Sequence, residues 1–349
     1  MTRRYCVVGG GISGLVAAYR LRMRAGADAD ITLFDPADRL GGILRTERIA
    51  GQPMDIGAEA FVVRRPEVPA LLAELGLAGR QISTTGVRPT IYSQGRLRPL
   101  PPDTVNGIPT SAGSVTGLVD DATIAQMAAE PSRPLRWQVG ADPAVGAVVA
   151  DRFGDQVVAR SVDPMLSGVY AGSAASVGTA ERMPMVAAAL DAGATSLTNA
   201  ARRALPGSTR GPVFGAIDGG YQVLLDVLAA RSRLHWVQAS IRHIAPDGTG
   251  WSLCDDEGQH WRADGVIVAV PAPRLAPLVA EIAPNAAAAA ARIPVASAAV
   301  LALAVPGGTP LPAQSGVLVA SGERLHAKAI TLSTRKWGCL LYTSDAADE

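Results

Sequence analysis

The stretch "CVVGGGISGLVAAYRLR", Cys6 to Arg22, decides how this chain folds. Tyr5 to Val8 is an apolar run of the right length for one buried strand. From Ile12 to Met23 the residues Ile12, Leu15, Val16, Tyr19, Leu21 and Met23 recur at helical spacing. Between them lies Gly9-x-Gly11-x-x-Gly14, with Gly10 in the same turn. Glycine weakens strands and helices alike, so its concentration at this joint needs a cause. The first glycine permits a tight turn, the second lets a pyrophosphate approach the backbone, and the third lets helix and strand pack closely. The helix start then offers unpaired N–H groups and a positive dipole end to an anion. A second strand, "DITLFDP", ends in Asp35, about twenty residues past the glycines, where a carboxylate can take a ribose hydroxyl. A glycine-rich turn in an ordinary α/β domain would need neither the acid nor its spacing.

Length and composition bound the function. At 349 residues the chain can hold two domains, and a net charge of +1 without a Lys/Arg stripe gives no reason to expect nucleic acid. No uninterrupted apolar run reaches the ~20 residues of a membrane span. Cys6, Cys254 and Cys339 form no close pair, so neither a disulfide framework nor a metal site is indicated. With no signal-peptide layout at the start, a cytoplasmic location is expected. Oligomeric state is not encoded in any pattern.

NAD and FAD both use such a seam, and the following residues discriminate. "DPADRLGGILRTE" puts Arg39 and the pair Gly41-Gly42 directly after the ribose acid. "MDIGAEAF", Met54 to Phe61, reads as a strand and another small-residue turn. Those extra close approaches suit a long flavin dinucleotide, and the pattern resembles the FAD-containing amine oxidase and desaturase superfamily. Downstream, "RRPEVPALLAELGL" (64–77), "IYSQGRLRPLPPDTVNGIPT" (91–110), "VVARSVDPMLSGVYAG" (157–172) and "AITLSTRKW" (329–337) occur in the order found in oxygen-dependent porphyrinogen oxidases of haem synthesis. "DPMLSGVYAG" is the most specific element and resembles the Gram-positive branch, which prefers coproporphyrinogen III.

The resemblance implies a porphyrinogen substrate, FAD as two-electron acceptor, and molecular oxygen as final acceptor, giving hydrogen peroxide. It implies pyrophosphate contacts from Gly9, Gly10, Gly11, Ile12, Ser13 and Gly14, and a ribose contact from Asp35 beside Pro36. Arg39, Gly42, Gly57, Ala58, Glu59 and Ala60 would lie along the cofactor, and Ile241 would meet adenine through its backbone. Ile43 departs from many relatives, which carry Lys or Arg there. A substrate with propionates calls for cations, and Arg suits carboxylates through paired N–H donors. Arg88, Arg96 and Arg98 are the candidates, with Leu166 and Tyr170 as candidates for an apolar wall. No catalytic acid or base is named: His235, His243, His260 and His326 are scattered, and the cofactor carries the chemistry.

The expected fold is α/β: a Rossmann-like FAD-binding domain interleaved with a mixed-sheet substrate domain and a helical subdomain. Residues 1–88 and 206–275 are assigned to the FAD domain, 89–102 and 276–337 to the substrate domain, and 103–205 to the helical subdomain. Within these, "PMVAAALDAGATSLTNAARRAL" (184–205) reads as one long helix and "ASAAVLALAVP" (296–306) as a strand. The tail "GCLLYTSDAADE" (338–349) matches nothing in the family and resembles the translation of a sequencing adaptor. It is therefore expected to lie outside the fold, with the family's last FAD-domain segment missing. Three other readings stay open: a protoporphyrinogen IX oxidase, another FAD amine oxidase or desaturase, and an inactive flavin-binding fragment.

Overall fold

The structure is a computed structural model and describes residues 2–170, 172–207 and 211–338; the tail from Cys339 onward lies outside them. The chain forms two compact units. The first comprises residues up to Ser83 together with Val213–Pro306, and the second comprises Thr84–Pro212 and the chain from Gly307.

The first unit is built on a parallel sheet. Strand β1 (Arg4–Val8) lies at its centre, followed by helix α1 (Ile12–Ala25) and strand β2 (Asp30–Phe34). Strand His235–Val237 pairs with the outer edge of β2, and Gly265–Val268 pairs with the other side of β1. Alternate side chains leave a strand on opposite faces, and both faces of this sheet are covered. Val7, Ile31 and Leu33 pack under α1 and helix Gln222–Ser232. Cys6, Val8 and Phe34 face the other way, against Ile244 and Leu253 of a three-stranded antiparallel meander. Phe34 meets Trp261 of that meander edge-on, with ring centroids 5.0 Å apart. Burial pushes the Cys6 thiol up to about 12, which keeps it protonated and inert.

The stretch "HWRADGVIVAVP" (260–271), which reads in sequence as one strand, is two strands in two sheets. Asp264 marks the joint: it donates its N–H to the Arg4 carbonyl at 2.8 Å and accepts the Arg4 N–H at 2.7 Å. The first unit also reaches further along the chain than the boundary expected at residue 275. Helices Ala272–Val279 and Pro284–Ala291 bury Leu278, Val279 and Ala287 in the meander-side core.

The second unit joins a helical core to a mixed sheet. Strand Gly316–Val319 runs parallel to Thr90–Ser93 and antiparallel to Ala329–Thr331, while Arg96–Pro99 completes the edge. Thr90–Ser93 and Arg96–Pro99 form a two-residue hairpin. Gln94 and Gly95 have φ of 55° and 71°, the left-handed pair that matches strand twist.

Two expectations fail here for physical reasons. Residues 184–205 form two helices, Pro184–Asp191 and Leu197–Ala204. Gly193 turns left-handed (φ 79°) and Ser196 caps the second helix by accepting the Asn199 N–H. Alanine content hid that break. Residues 296–306 contain no strand, and Leu301 and Leu303 are 80% and 70% exposed. A strand exists only against a neighbour, and none of the described sheets offers one to this segment.

Three tethers hold the helices, the first of them buried. Glu130 and Arg152 pair at 2.8 Å with almost no exposure. Glu130 also accepts the N–H groups of Leu197 and Thr198, and Arg152 donates to the carbonyls of Glu130, Arg133 and Pro134. Burial opposes ionisation of Glu130, yet the hydrogen bonds from Thr198, Leu197 and Arg152 together outweigh it and lower its pKa. A π-helical segment, Val158–Val162, turns the Ala159 carbonyl outward to accept the Ser321 N–H at 2.9 Å. Asp163 then accepts the Ser321 hydroxyl and the Ala174 N–H, fixing the start of helix Asp163–Tyr170.

Candidate functional site

The glycine seam sits where β1 ends and α1 begins. Gly9 has φ 112°, and a Cβ there would stand 2.5 Å from the Ala269 carbonyl oxygen. A Cβ at Gly14 would overlap the Gly9 carbonyl oxygen, and one at Gly10 would crowd Leu40 and Asp35. Gly11 differs: apart from its own and its chain neighbours' atoms, no protein atom lies within 4 Å of its Cβ position. Three glycines are thus required by the protein's own packing, while the fourth borders open space. No side chain caps α1 and its first turn holds no acid, so the N–H groups around Ile12 and exposed Ser13 face that space uncompensated.

Asp35 closes the end of β2. Its carboxylate accepts the Gly10 N–H at 2.6 Å and the Ala37 N–H at 2.9 Å, and it remains partly exposed beside exposed Pro36. It therefore braces the glycine turn and still presents lone pairs to solvent. The Asp35 N–H reaches the Val237 carbonyl, and four residues on lies Ile241. Ile241 is 5% exposed, its side chain in the meander-side core and its backbone paired with Asp255.

The second glycine pair lies against the first. Gly41 donates its N–H to Gly10 at 2.8 Å, and a Cβ on Gly42 (φ 59°) would come within 3.1 Å of the Gly11 Cα. Arg39 holds this strap: its guanidinium donates to the carbonyls of Gly42 (2.7 Å), Leu44 (2.9 Å) and Leu40 (3.3 Å). The Ile43 carbonyl accepts the Ala58 N–H, and a Cβ on Gly57 would overlap it. Glu59 and Ala60 follow, both half-buried. The segments around Gly9–Gly14, Gly41–Gly42 and Gly57–Ala58 thus form one contiguous backbone-lined cradle.

A second helix start adjoins it, and sequence reading passed over it. Asp55 accepts the Thr46 hydroxyl (2.5 Å) and the Tyr221 N–H (3.0 Å), while the Thr46 oxygen accepts the Gln222 N–H. Burial raises the Asp55 pKa, with these hydrogen bonds opposing it. Gly219 and Gly220, both left-handed, carry the chain into helix Gln222–Ser232. The adjacent glycines before a helical run were the available signal.

In the second unit the arginine candidates separate. Residues opposed in an antiparallel ladder share a face. Arg96 opposes Ser93 and Arg98 opposes buried Ile91, whereas Leu97 and Pro99 oppose Tyr92 and Thr90. Arg88, Thr90, Leu97 and Pro99 line a recess of about 500 Å³. Arg88 therefore borders a concave, largely apolar surface, and Arg96 and Arg98 project from the other face. Leu166 needs correction: at 1% exposure it belongs to the helical core with Val162 and Phe153, leaving no surface for a ligand wall. Tyr170 ends its helix by its backbone, and its side chain lies outside the described residues. Among the described residues no group of three His, Cys, Asp or Glu side chains could hold a metal, and no helix is long and apolar enough to cross a membrane.

A parallel sheet with this turn, this helix start and an acid at the neighbouring strand end defines a dinucleotide-binding unit. The chain belongs to the flavin containing amine oxidoreductases, whose family model matches residues 12–338. It is 69% identical over 336 residues to the coproporphyrinogen III oxidase of Mycobacterium tuberculosis, covering 96% of this chain and 74% of the relative. It is 66% identical to the Mycobacterium leprae protein of the same name, covering 97% and 75%. Among solved structures, a proposed protoporphyrinogen oxidase from Exiguobacterium sp. 255-15 superposes with a TM-score of 0.79 at 25% identity, covering 97% of this chain and 74% of that one. The chain thus shares the fold of flavin-dependent oxidases, and its relatives are oxidoreductases.

Proposed function

We propose that the chain binds FAD along the glycine cradle and oxidises coproporphyrinogen III to coproporphyrin III in haem biosynthesis, in the cytoplasm, with molecular oxygen as acceptor. The observation that carries the cofactor assignment is the open space at Gly11, bounded by an uncapped helix start, in a turn whose other glycines are sterically filled. The residues present fit the group. N–H groups from Gly11 to Gly14 hold the pyrophosphate, Asp35 holds a ribose hydroxyl, and Gly42 and Gly57 to Ala60 line the rest of its length. The Ile241 backbone borders the adenine end.

Bound flavin supplies the two-electron acceptor that each dehydrogenation of the macrocycle requires. The protein's own work is to bind, orient and shield, and Arg88 at its recess offers a charge-assisted hydrogen bond to a propionate. The substrate assignment rests on the 69% identity. Protoporphyrinogen IX is the alternative, favoured by the fold neighbour of TM-score 0.79. The test is anaerobic addition of each porphyrinogen to the FAD-loaded chain, followed by flavin absorbance, then aerobic appearance of porphyrin fluorescence. Bleaching by coproporphyrinogen in preference to protoporphyrinogen supports the reading. FAD binding with no bleaching by either sinks the activity and leaves the cofactor site standing.

A further inference from the structure

Ile43 is 77% exposed in the middle of a rigid, polar strap. Its backbone is held on both sides: its carbonyl accepts the Ala58 N–H, and the next residue, buried Leu44, donates to the Gly41 carbonyl at 3.0 Å. One residue before it, Gly42 rests against Gly11, the glycine with open space at its Cβ. An apolar side chain is therefore fixed in solvent at the edge of the cradle. The cations of the same strap are committed elsewhere. Arg39 is spent on three backbone carbonyls, and Arg45 pairs with Glu47 at 2.8 Å.

From this arrangement we infer that Ile43 is the cover of the cofactor site. Its side chain is buried by the bound dinucleotide, and the phosphates are held by backbone N–H groups without a side-chain cation. The inference rests on the FAD reading above and deepens it. Such a site gains affinity from apolar contact and from fixed dipoles, so its affinity should depend only weakly on salt. A lysine at the same position would add a screened charge beside the phosphates.

The test is titration of the apo full chain with FAD, following flavin fluorescence at several ionic strengths, for wild type, Ile43→Ser and Ile43→Lys. Wild type should show a shallow salt dependence. Ile43→Ser should bind about tenfold more weakly with the same shallow slope, the loss expected from unburying a branched aliphatic side chain. Ile43→Lys should bind comparably to wild type at low salt and weaken steeply as salt rises. The melting temperatures of the three apo chains should agree, because Ile43 has little contact with protein. Wild-type affinity in Ile43→Ser, or a steep salt slope in wild type, overturns the inference. Failure of the wild-type chain to bind FAD overturns the cofactor reading itself and removes this inference with it.

Discussion

Gly11→Val separates the protein's packing from its ligand. Gly11 has φ −71° and ψ 178°, a conformation open to valine, and nothing stands within 4 Å of the new Cβ. Replacing glycine restricts the unfolded chain, worth about 0.4–1 kcal/mol in favour of folding. Valine is also a poorer helix N-cap than glycine, an opposing cost of about 1 kcal/mol. The apo chain should therefore melt within a few degrees of wild type. The cofactor meets a different situation, since the branched side chain fills the space in which a phosphate reaches the helix start. Losing two charge-assisted hydrogen bonds at about 1.5 kcal/mol each removes about 3 kcal/mol, or more than about 100-fold in affinity. Paired measurements decide it: thermal unfolding of the apo chain by circular dichroism, and FAD affinity by fluorescence titration. Wild-type affinity in the variant would refute the assignment of the open space to phosphate. Gross unfolding of the variant would refute the claim that the space is open.

Asp35 should respond on both axes, because it braces the turn as well as facing solvent. Asp35→Ala should lower apo stability by about 1–2 kcal/mol through the Gly10 N–H left unpaired, the exposed Ala37 N–H turning to water, and weaken FAD further; a variant with unchanged melting would contradict the bracing role. Glu130→Ala should destabilise the second unit by about 3–5 kcal/mol by stranding Arg152, read by denaturant titration, and a loss under 1 kcal/mol would count against the buried pair. Because folding lowers the Glu130 pKa, its contribution is complete above the unfolded value of 4.5 and is lost as pH falls through the folded value below it. Glu130→Gln should flatten that acid limb, and an unchanged limb would assign it to other carboxylates. Arg88→Ala should raise the Michaelis constant for the porphyrinogen by about tenfold or more at unchanged flavin content, while Arg96→Ala and Arg98→Ala on the opposite sheet face leave it within about twofold. Equal effects at all three would show that the recess does not select the anchor.

The readable part of this chain is the part whose constraints are local. Gly14 is demanded by the Gly9 carbonyl within its own turn, so spacing alone exposes it, whereas Gly9 is crowded by remote Ala269 and was legible only through its place in the same motif. Asp35 follows from strand length. The tethers were invisible because their partners are remote in sequence: Glu130 caps Leu197 and Thr198, Asp55 caps Tyr221, and Asp163 binds Ser321. Nothing in the neighbourhood of those acids distinguishes them from surface carboxylates. The helix break at Gly193 was masked by alanine on both sides. For residues 296–306 the apolar composition was plain, but strand formation depends on a neighbouring edge that composition cannot supply. Arg88, Arg96 and Arg98 were indistinguishable as residue types until Arg88 fell at the recess and hairpin register put Arg96 and Arg98 on the face opposite Leu97 and Pro99.

The sheet of the first unit also sets an order in time. Its two inner strands, β1 and β2, are made before the inserted unit, while both outer strands, His235–Val237 and Gly265–Val268, come from its far side. Roughly 200 residues of chain separate the end of β2 from the first of its missing neighbours, which at typical synthesis rates is roughly 10–40 s. For that interval the strands β1 and β2 carry two unpaired edges, rows of free N–H and C=O groups that can recruit other chains. The second unit's helical core, nearly all encoded before residue 205, can close in the same interval. The nascent chain therefore has its second unit's helices packed before its cofactor unit has a sheet to fold around. Cellular yield should depend more on holding factors at the ribosome than on the stability of the finished protein.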